Sequence, residues 1–351
     1  AYAIFKALRD KFRLRWYHWS DEFKQANLLT ILANHPSLHR EVKFHLFVQD
    51  VMKKQWLDLA SYAKKKKIDF IFDKPIYPIH DSADVWANHK LFYLIPTGTL
   101  KYGSGCDNPN DPFGAQYWGH AVYKFKENPN EVIKYYNESI KFMSQIAGII
   151  RLDHALALIW KYYVVKPGAK NGVHRLAIKH KLFNSIIKNN PNLMYIADDL
   201  GYVSNRNIDS LLALHSVPGM RSPQWCHVPK YSQIDKYPEL CLAMTANHDL
   251  DSIPSWWHKL RIGRKKIFLR LLKEGFAEDF NDQIWQLVTL IFGSKSMIAT
   301  ITLRDLTFDL RRYNKPGVKN SQNWCFRMQE SLERVDFSKI KSIIIESNRN
   351  N

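Results

Sequence analysis

The chain has 351 residues, 46% of them hydrophobic and 13% aromatic, enough to bury one large core or two ordinary ones. No stretch approaches ~20 uninterrupted apolar residues, so no membrane-spanning helix is expected. The net charge of +18 raises nucleic acid or an anionic membrane as partners. The basic clusters, Lys64 to Lys67 and Arg261-Ile-Gly-Arg264-Lys265-Lys266, are short and lack the interleaved aromatics of a stacking surface. They read as solvated surface, and neither partner is expected. Four cysteines (Cys106, Cys226, Cys241, Cys325) lie far apart without CxxC spacing, which fits a reducing cytoplasm better than a zinc site or disulfide framework.

The N-terminus, Ala1 to Asp10, reads as an amphipathic helix and not as a signal peptide. It lacks an initiator Met, which leaves room for residues upstream. Residues 41–67 read as a helix, with Phe44, Phe47, Val48, Val51, Trp56, Leu57, Leu59 and Ala60 at helical spacing. Residues 1–67 thus form a helical segment with the character of an inserted subdomain. Ile68 to Tyr77 is a short apolar run closed by Pro75 and reads as a buried strand. Residues 78–125, rich in Gly, Pro and Asn, interrupt the pattern with a loop too long for a connector. Residues 131–147 are helical, with Val132, Tyr136, Ile140, Met143 and Ala147 on one face, and Gly148 ends that helix. The strand Ile149–Leu152 follows. The rhythm then repeats: helix 176–189 and strand Leu193–Ala197, a helix near 207–214 and a weak strand near 224–228, an apolar strand over 241–246, helix 281–292 and strand Met297–Leu303. Alternating helices and short buried strands predict an α/β fold with a parallel sheet.

Three strands end alike. Asp153-His154 follows Ile149–Leu152, Asp198-Asp199 follows Leu193–Ala197, and His248-Asp249 follows the strand at 241–246. In a parallel α/β barrel the strand C-termini open on the active-site face. Paired carboxylates suit glycosidic chemistry: one attacks the anomeric carbon and one protonates the leaving oxygen, roughly 5–5.5 Å apart in retaining enzymes. A third can stabilise the cationic transition state. Arg151 shares a strand face with Asp153 and is expected to hold it ionised and oriented. Metal binding is the rival use of Asp and His, but these His residues adjoin their Asp directly and lack a chelating spacing, so no metal is expected.

Six segments, the three strand ends among them, carry a resemblance. Ile68-Asp-Phe-Ile-Phe-Asp73 with Asp81-Ser-Ala-Asp84-Val-Trp86, Ala115-Gln116-Tyr-Trp118-Gly119, Arg151-Leu-Asp153-His154, Ile196-Ala-Asp198-Asp199-Leu-Gly201, Thr245-Ala-Asn-His248-Asp249 and Asn314-Lys-Pro-Gly317 with Asn323-Trp324-x-x-Arg327 occur in order. Together they resemble the 4-α-glucanotransferases of the amylomaltase (disproportionating-enzyme) type, glycoside hydrolase family 77. The resemblance implies a TIM (β/α)8-type barrel of the α-amylase clan over residues 68–351. Asp153 aligns with the nucleophile, Asp198 with the acid/base and Asp249 with the transition-state stabiliser. Arg151, His154 and His248 align with residues that hydrogen-bond the sugar in the cleavage subsite. Asp73, Gln116 and Trp118 align with glucan-binding residues, against the plainer expectations of core packing for Trp118 and a cap for Asp73. The implied partner is a maltodextrin or α-1,4-glucan, with no cofactor.

The chain departs from the family pattern in three places. Asp198 stands where the family has Glu, one methylene shorter, on the order of 1.5 Å of reach. The loop Gly105-Cys-Asp-Asn-Pro109-Asn110-Asp-Pro-Phe replaces an aromatic-bearing acceptor loop, so Pro109 and Asn110 are expected to lack its contacts. The chain begins just before the third strand, so an incomplete barrel of strands three to eight is expected, with open edges. A catalytically impaired remnant that at most binds glucan is the alternative to an active enzyme, and a polyanion-binding module is a more remote one.

Overall fold

The computed structural model describes residues 1–107, 114–178, 180–200, 206–318 and 320–349. Pro109, Asn110 and Gly201 lie outside them. Ten strands run in chain order: β1 (Ile71–Lys74), β2 (Gly103–Cys106), β3 (Gln116–Ala121), β4 (Ile149–Leu152), β5 (Lys161–Val165), β6 (Val173–Leu176), β7 (Met194–Ala197), β8 (Gly219–Arg221), β9 (Cys241–Met244) and β10 (Ile298–Thr300). Six of them form a sheet in the order β1-β4-β7-β8-β9-β10. The pairs β1/β4, β7/β8, β8/β9 and β9/β10 are parallel, which makes the fold α/β. Among the described residues β1 and β10 stand at the ends of that order, as an incomplete barrel requires. The other four strands form a second sheet, β3-β2-β5-β6.

By compactness the chain divides into two units. One takes residues 1–107 and 117–195; the other takes the stretch that ends at Gln116 and residues 196–351. The division falls inside β7, after Tyr195. In the first unit the helix Pro129–Met143 buries Val132, Tyr136 and Ile140 at i, i+4 and i+8, as its spacing predicts. The helix Lys181–Asn189 buries Leu182, Phe183 and Ile186 on one stripe. In the second unit the helix Phe280–Phe292, capped by Asp279 through the Asn281 and Asp282 amides, buries Ile284, Leu287, Val288 and Ile291. These pack with Trp257, Phe268 and Ile343.

Four expectations fail for physical reasons. The run 68–77 forms only the four residues of β1, and Ile71 is exposed, because among the described residues β1 has a strand partner on one side alone. The strand sought at 224–228 lies at Gly219–Arg221, since Ser222 caps a 3-10 turn at Pro223–Trp225 that stops extended structure. Helix 176–189 starts at Lys181, because Leu176 pairs with Lys161 as the last residue of β6. The apolar positions of the helix His39–Lys65 are mostly unburied: only Val42 and Ala63 are buried, and Phe44, Phe47, Leu57 and Leu59 face water. Trp56 is exposed too, although its ring is set edge-on against Phe70 and Phe72.

Candidate active site

In the first unit, β1 and β4 lie in register with Asp73 opposite Arg151. Alternation along β4 turns Arg151 and Asp153 to the same side. The Arg151 guanidinium, nearly buried, donates to Asp73 Oδ1 at 2.6 Å and to Asp153 Oδ1 at 3.1 Å through Nη1. One cation therefore ties the two carboxylates together. The Asp153 amide is also fixed, donating to the Lys74 carbonyl. Asp73 is a strand residue whose carboxylate is held by Arg151.

The next residue, His154, has φ of 43°, in the left-handed region that a non-glycine side chain enters at a cost. Its ring meets Trp118 edge-on, 5.2 Å between centroids and 89° between planes. Trp118 belongs to β3 and is half-buried. His120, two residues along the same strand, is pushed down by burial while the Asp153 charge opposes the shift. Behind the sheet, burial pushes the Lys74 ammonium down to about 8, with its Nζ 4.6 Å from the Tyr136 ring centre. Tyr136 is fully buried, and that burial raises its hydroxyl.

The second unit holds the rest. The two acids after β7 differ completely. Asp198 is half-buried and accepts from the Leu200 amide at 3.2 Å. Asp199 is buried and receives the Met220 amide at 2.7 Å, Arg221 Nη1 at 3.0 Å and Lys230 Nζ at 3.0 Å. Burial alone would raise the Asp199 carboxyl, but Arg221, Lys230 and the amide outweigh it and hold the group below its ordinary value. Asp199 is thus committed to holding β7 and β8 together.

After β9, Asn247 folds the loop by accepting the Asp249 and Leu250 amides on its side-chain oxygen. His248 Nε2 and Asp249 Oδ2 lie 3.3 Å apart. Asn314 Nδ2 donates to Asp249 Oδ1 at 2.6 Å, and Arg312 donates to the Asp249 carbonyl. Trp324, itself at φ of 63°, lies 5.3 Å from the His248 ring. Gln116, the buried first residue of β3, packs against Gly317, where a Cβ would come within 2.9 Å of the Gln116 Cγ.

In the first unit Arg151 joins Asp73 to Asp153, and His154 meets Trp118; in the second, His248 lies beside Asp249, while Asp198 and Gln116 have their own separate contacts. Sequence reasoning did not single out Asn314, Arg312 or Trp324 as site residues, although Asn314 and Trp324 stand inside the C-terminal motif. A lone Arg312 carries no signal beyond its charge.

Two solved structures define the fold class. An amylomaltase from Streptococcus agalactiae, solved with acarbose, superposes with a TM-score of 0.86 at 24% identity, over 99% of this chain and 72% of that one. An amylomaltase from Corynebacterium glutamicum gives 0.71 at 15% identity, over 100% and 52%. The family model for 4-alpha-glucanotransferases, glycoside hydrolase family 77, matches residues 1–333, and the chain belongs to that family. Curated relatives, all named 4-alpha-glucanotransferase, include one from Aquifex aeolicus, 30% identical over 96% of this chain, and one from Streptococcus pneumoniae, 26% identical over 94%. The rice chloroplastic/amyloplastic enzyme is 26% identical over 94%. The chain spans 70%, 66% and 56% of these three relatives' lengths. Among the described residues no helix is long and apolar enough to cross a membrane.

Proposed function

We propose that the chain is a 4-α-glucanotransferase that moves α-1,4-glucan segments between maltodextrins by retaining double displacement. An Asp153 oxygen attacks the anomeric carbon while Asp198 gives its proton to the leaving glycosidic oxygen. A glucosyl ester forms on Asp153 and the first product leaves with a free 4-hydroxyl. A second glucan's 4-hydroxyl then attacks the anomeric carbon of the ester, its proton passing to Asp198 as the bond from that carbon to the Asp153 oxygen breaks. Asp249 stabilises the oxocarbenium-like transition state as a fixed anion. Arg151, His154 and His248 hold the sugar in the cleavage subsite, and Asp73, Gln116 and Trp118 bind the glucan. The acarbose held by the Streptococcus agalactiae relative, a glucan-like ligand, supports this substrate class.

The observation that carries the reading is the Arg151 bridge. A nearly buried guanidinium between Asp73 and Asp153 fixes the attacking carboxylate at a strand end, in a chain matched to the family across residues 1–333. The test is incubation with maltotriose followed by product separation. Glucose and longer dextrins are expected, and Asp153→Asn should abolish both. Asp198→Glu, which restores the family's longer acid, should raise kcat, by up to about a hundredfold if reach is what limits proton transfer. A well-folded wild type that yields no products, with Asp198→Glu equally inactive, would replace this reading with that of an impaired remnant that at most binds glucan.

A further inference from the structure

The loop after β9 is held from outside as well as from within. Its outer support is the one-turn helix Leu303–Leu306, which follows β10 and starts with a reciprocal cap between Thr302 and Asp305. Two neighbouring side chains of that turn, both buried, reach the loop at four points. Asp305 accepts from Thr245 Oγ1 and from the Ile253 amide, each at 2.6 Å, and so grips the two ends of the loop. Arg304 donates Nη2 to the Asn247 carbonyl at 3.0 Å and to the Leu250 carbonyl at 3.2 Å, on either side of His248-Asp249. Its Nη1 donates to the Arg311 carbonyl at 3.0 Å, and the guanidinium lies 4.0 Å from the Tyr313 ring centre. Arg311 and Tyr313 alternate along the chain with Arg312 and Asn314, the two residues that reach Asp249.

We propose that Arg304 is a positioning residue for transfer, fixing Asp249 and the Asn314 that orients it. The inference rests on the role proposed above for Asp249. Arg304 is completely buried, and burial pulls its guanidinium below the ordinary value. Burying a cation there is costly, and the three carbonyls it collects all belong to the two segments that meet at Asp249. A planar fork can hold two segments at once, whereas an ammonium is a single point of charge and cannot span them. The carboxylate meant to meet the developing positive charge therefore keeps its place through Arg304, without Arg304 touching substrate.

The test compares wild type with Arg304→Lys, which keeps the charge, and Arg304→Met, which keeps the length. The measurements are kcat and KM for maltotriose disproportionation, the thermal midpoint, and amide hydrogen exchange along the chain, including residues 245–253 and 311–314. The expected result is a drop of about tenfold to a hundredfold in kcat for the lysine variant with KM nearly unchanged. Faster exchange confined to 245–253 and 311–314 should accompany it, and the methionine variant should be worse on both counts. A lowered thermal midpoint with wild-type kcat in the folded lysine variant would overturn the proposal and leave Arg304 a purely structural residue. If the wild type itself makes no products, the proposed function fails by itself. Exchange then decides the clamp: unchanged protection at 245–253 in the lysine variant overturns it, and local loss supports it.

Discussion

Asp198 and Asp199 are neighbours in sequence with different surroundings: Asp198 is half-buried, whereas Asp199 is buried among cations. Asp199 has two cations and an amide on its oxygens and almost no exposure. Removing it leaves Arg221 and Lys230 facing a buried void, so Asp199→Ala should cost about 3–5 kcal/mol, read by urea unfolding. The wild-type pH dependence follows from the lowered carboxyl. In the unfolded chain the group titrates near its ordinary value of 3.8, and in the fold it titrates below that. The unfolded state therefore binds more protons in the window just below 3.8, and stability falls as the pH drops through it. The contribution is fully present above that window. Asp199→Ala should flatten this part of the acid limb, and an unchanged slope would show that other carboxylates set it. The resemblance singled out Asp198 of the pair, but the environment that holds Asp199 was not visible in the sequence. It depends on Arg221 and Lys230, 22 and 31 residues further along the chain.

Secondary elements were legible where periodicity and burial agree. The helix Pro129–Met143 and strands β4, β7 and β9 came out close to their expected places because each is an amphipathic or wholly apolar run with a clear stop. The second sheet was not legible. Its strands β2 and β3 are Gly-Ser-Gly-Cys and Gln-Tyr-Trp-Gly-His-Ala, which read as loop. They become strands only by pairing within β3-β2-β5-β6. The run Tyr162-Tyr163-Val164-Val165 was the available signal for β5 and passed unused. Strand β8 was misplaced because three residues, Gly-Met-Arg, carry almost no pattern. What fixes β8 is contact with Asp199: a Cβ on Gly219 would lie 2.8 Å from Asp199 Oδ1. Gly219→Ala should therefore destabilise the fold by about 1–3 kcal/mol through overpacking, measured as a shift of the urea midpoint. A neutral result would mean that the Asp199 carboxylate can give way without loosening Arg221. The Arg304–Asp305 turn was equally hidden, since Leu-Arg-Asp-Leu in isolation looks like a solvated helix face.

Across the whole chain, the largest mismatch between pattern and burial is the helix His39–Lys65. Its apolar stripe predicts a packed face, yet Phe44 is 55% exposed, Phe47 64% and Tyr62 61%. Exposed apolar surface of this kind, on a unit whose β1 has a strand partner on one side alone among the described residues, favours self-association. The net charge of +18 opposes it, because two copies repel at long range. The balance between these forces turns on ionic strength. At about 0.01 M salt the Debye length is about 30 Å and repulsion reaches across an approaching pair; at about 1 M it is about 3 Å and the apolar contact is felt almost alone. Sedimentation velocity of the 351-residue chain should therefore show monomer at low salt and growing association as salt is raised. Phe44→Lys with Phe47→Lys should hold the protein monomeric at both ends of the series, since the substitutions remove apolar area from the stripe while adding charge. The double variant should keep the wild-type thermal midpoint, because neither ring is buried. Association that weakens with salt would point instead to ion pairing between copies, and would move the explanation from the apolar stripe to the basic clusters at Lys64 to Lys67 and Arg261 to Lys266.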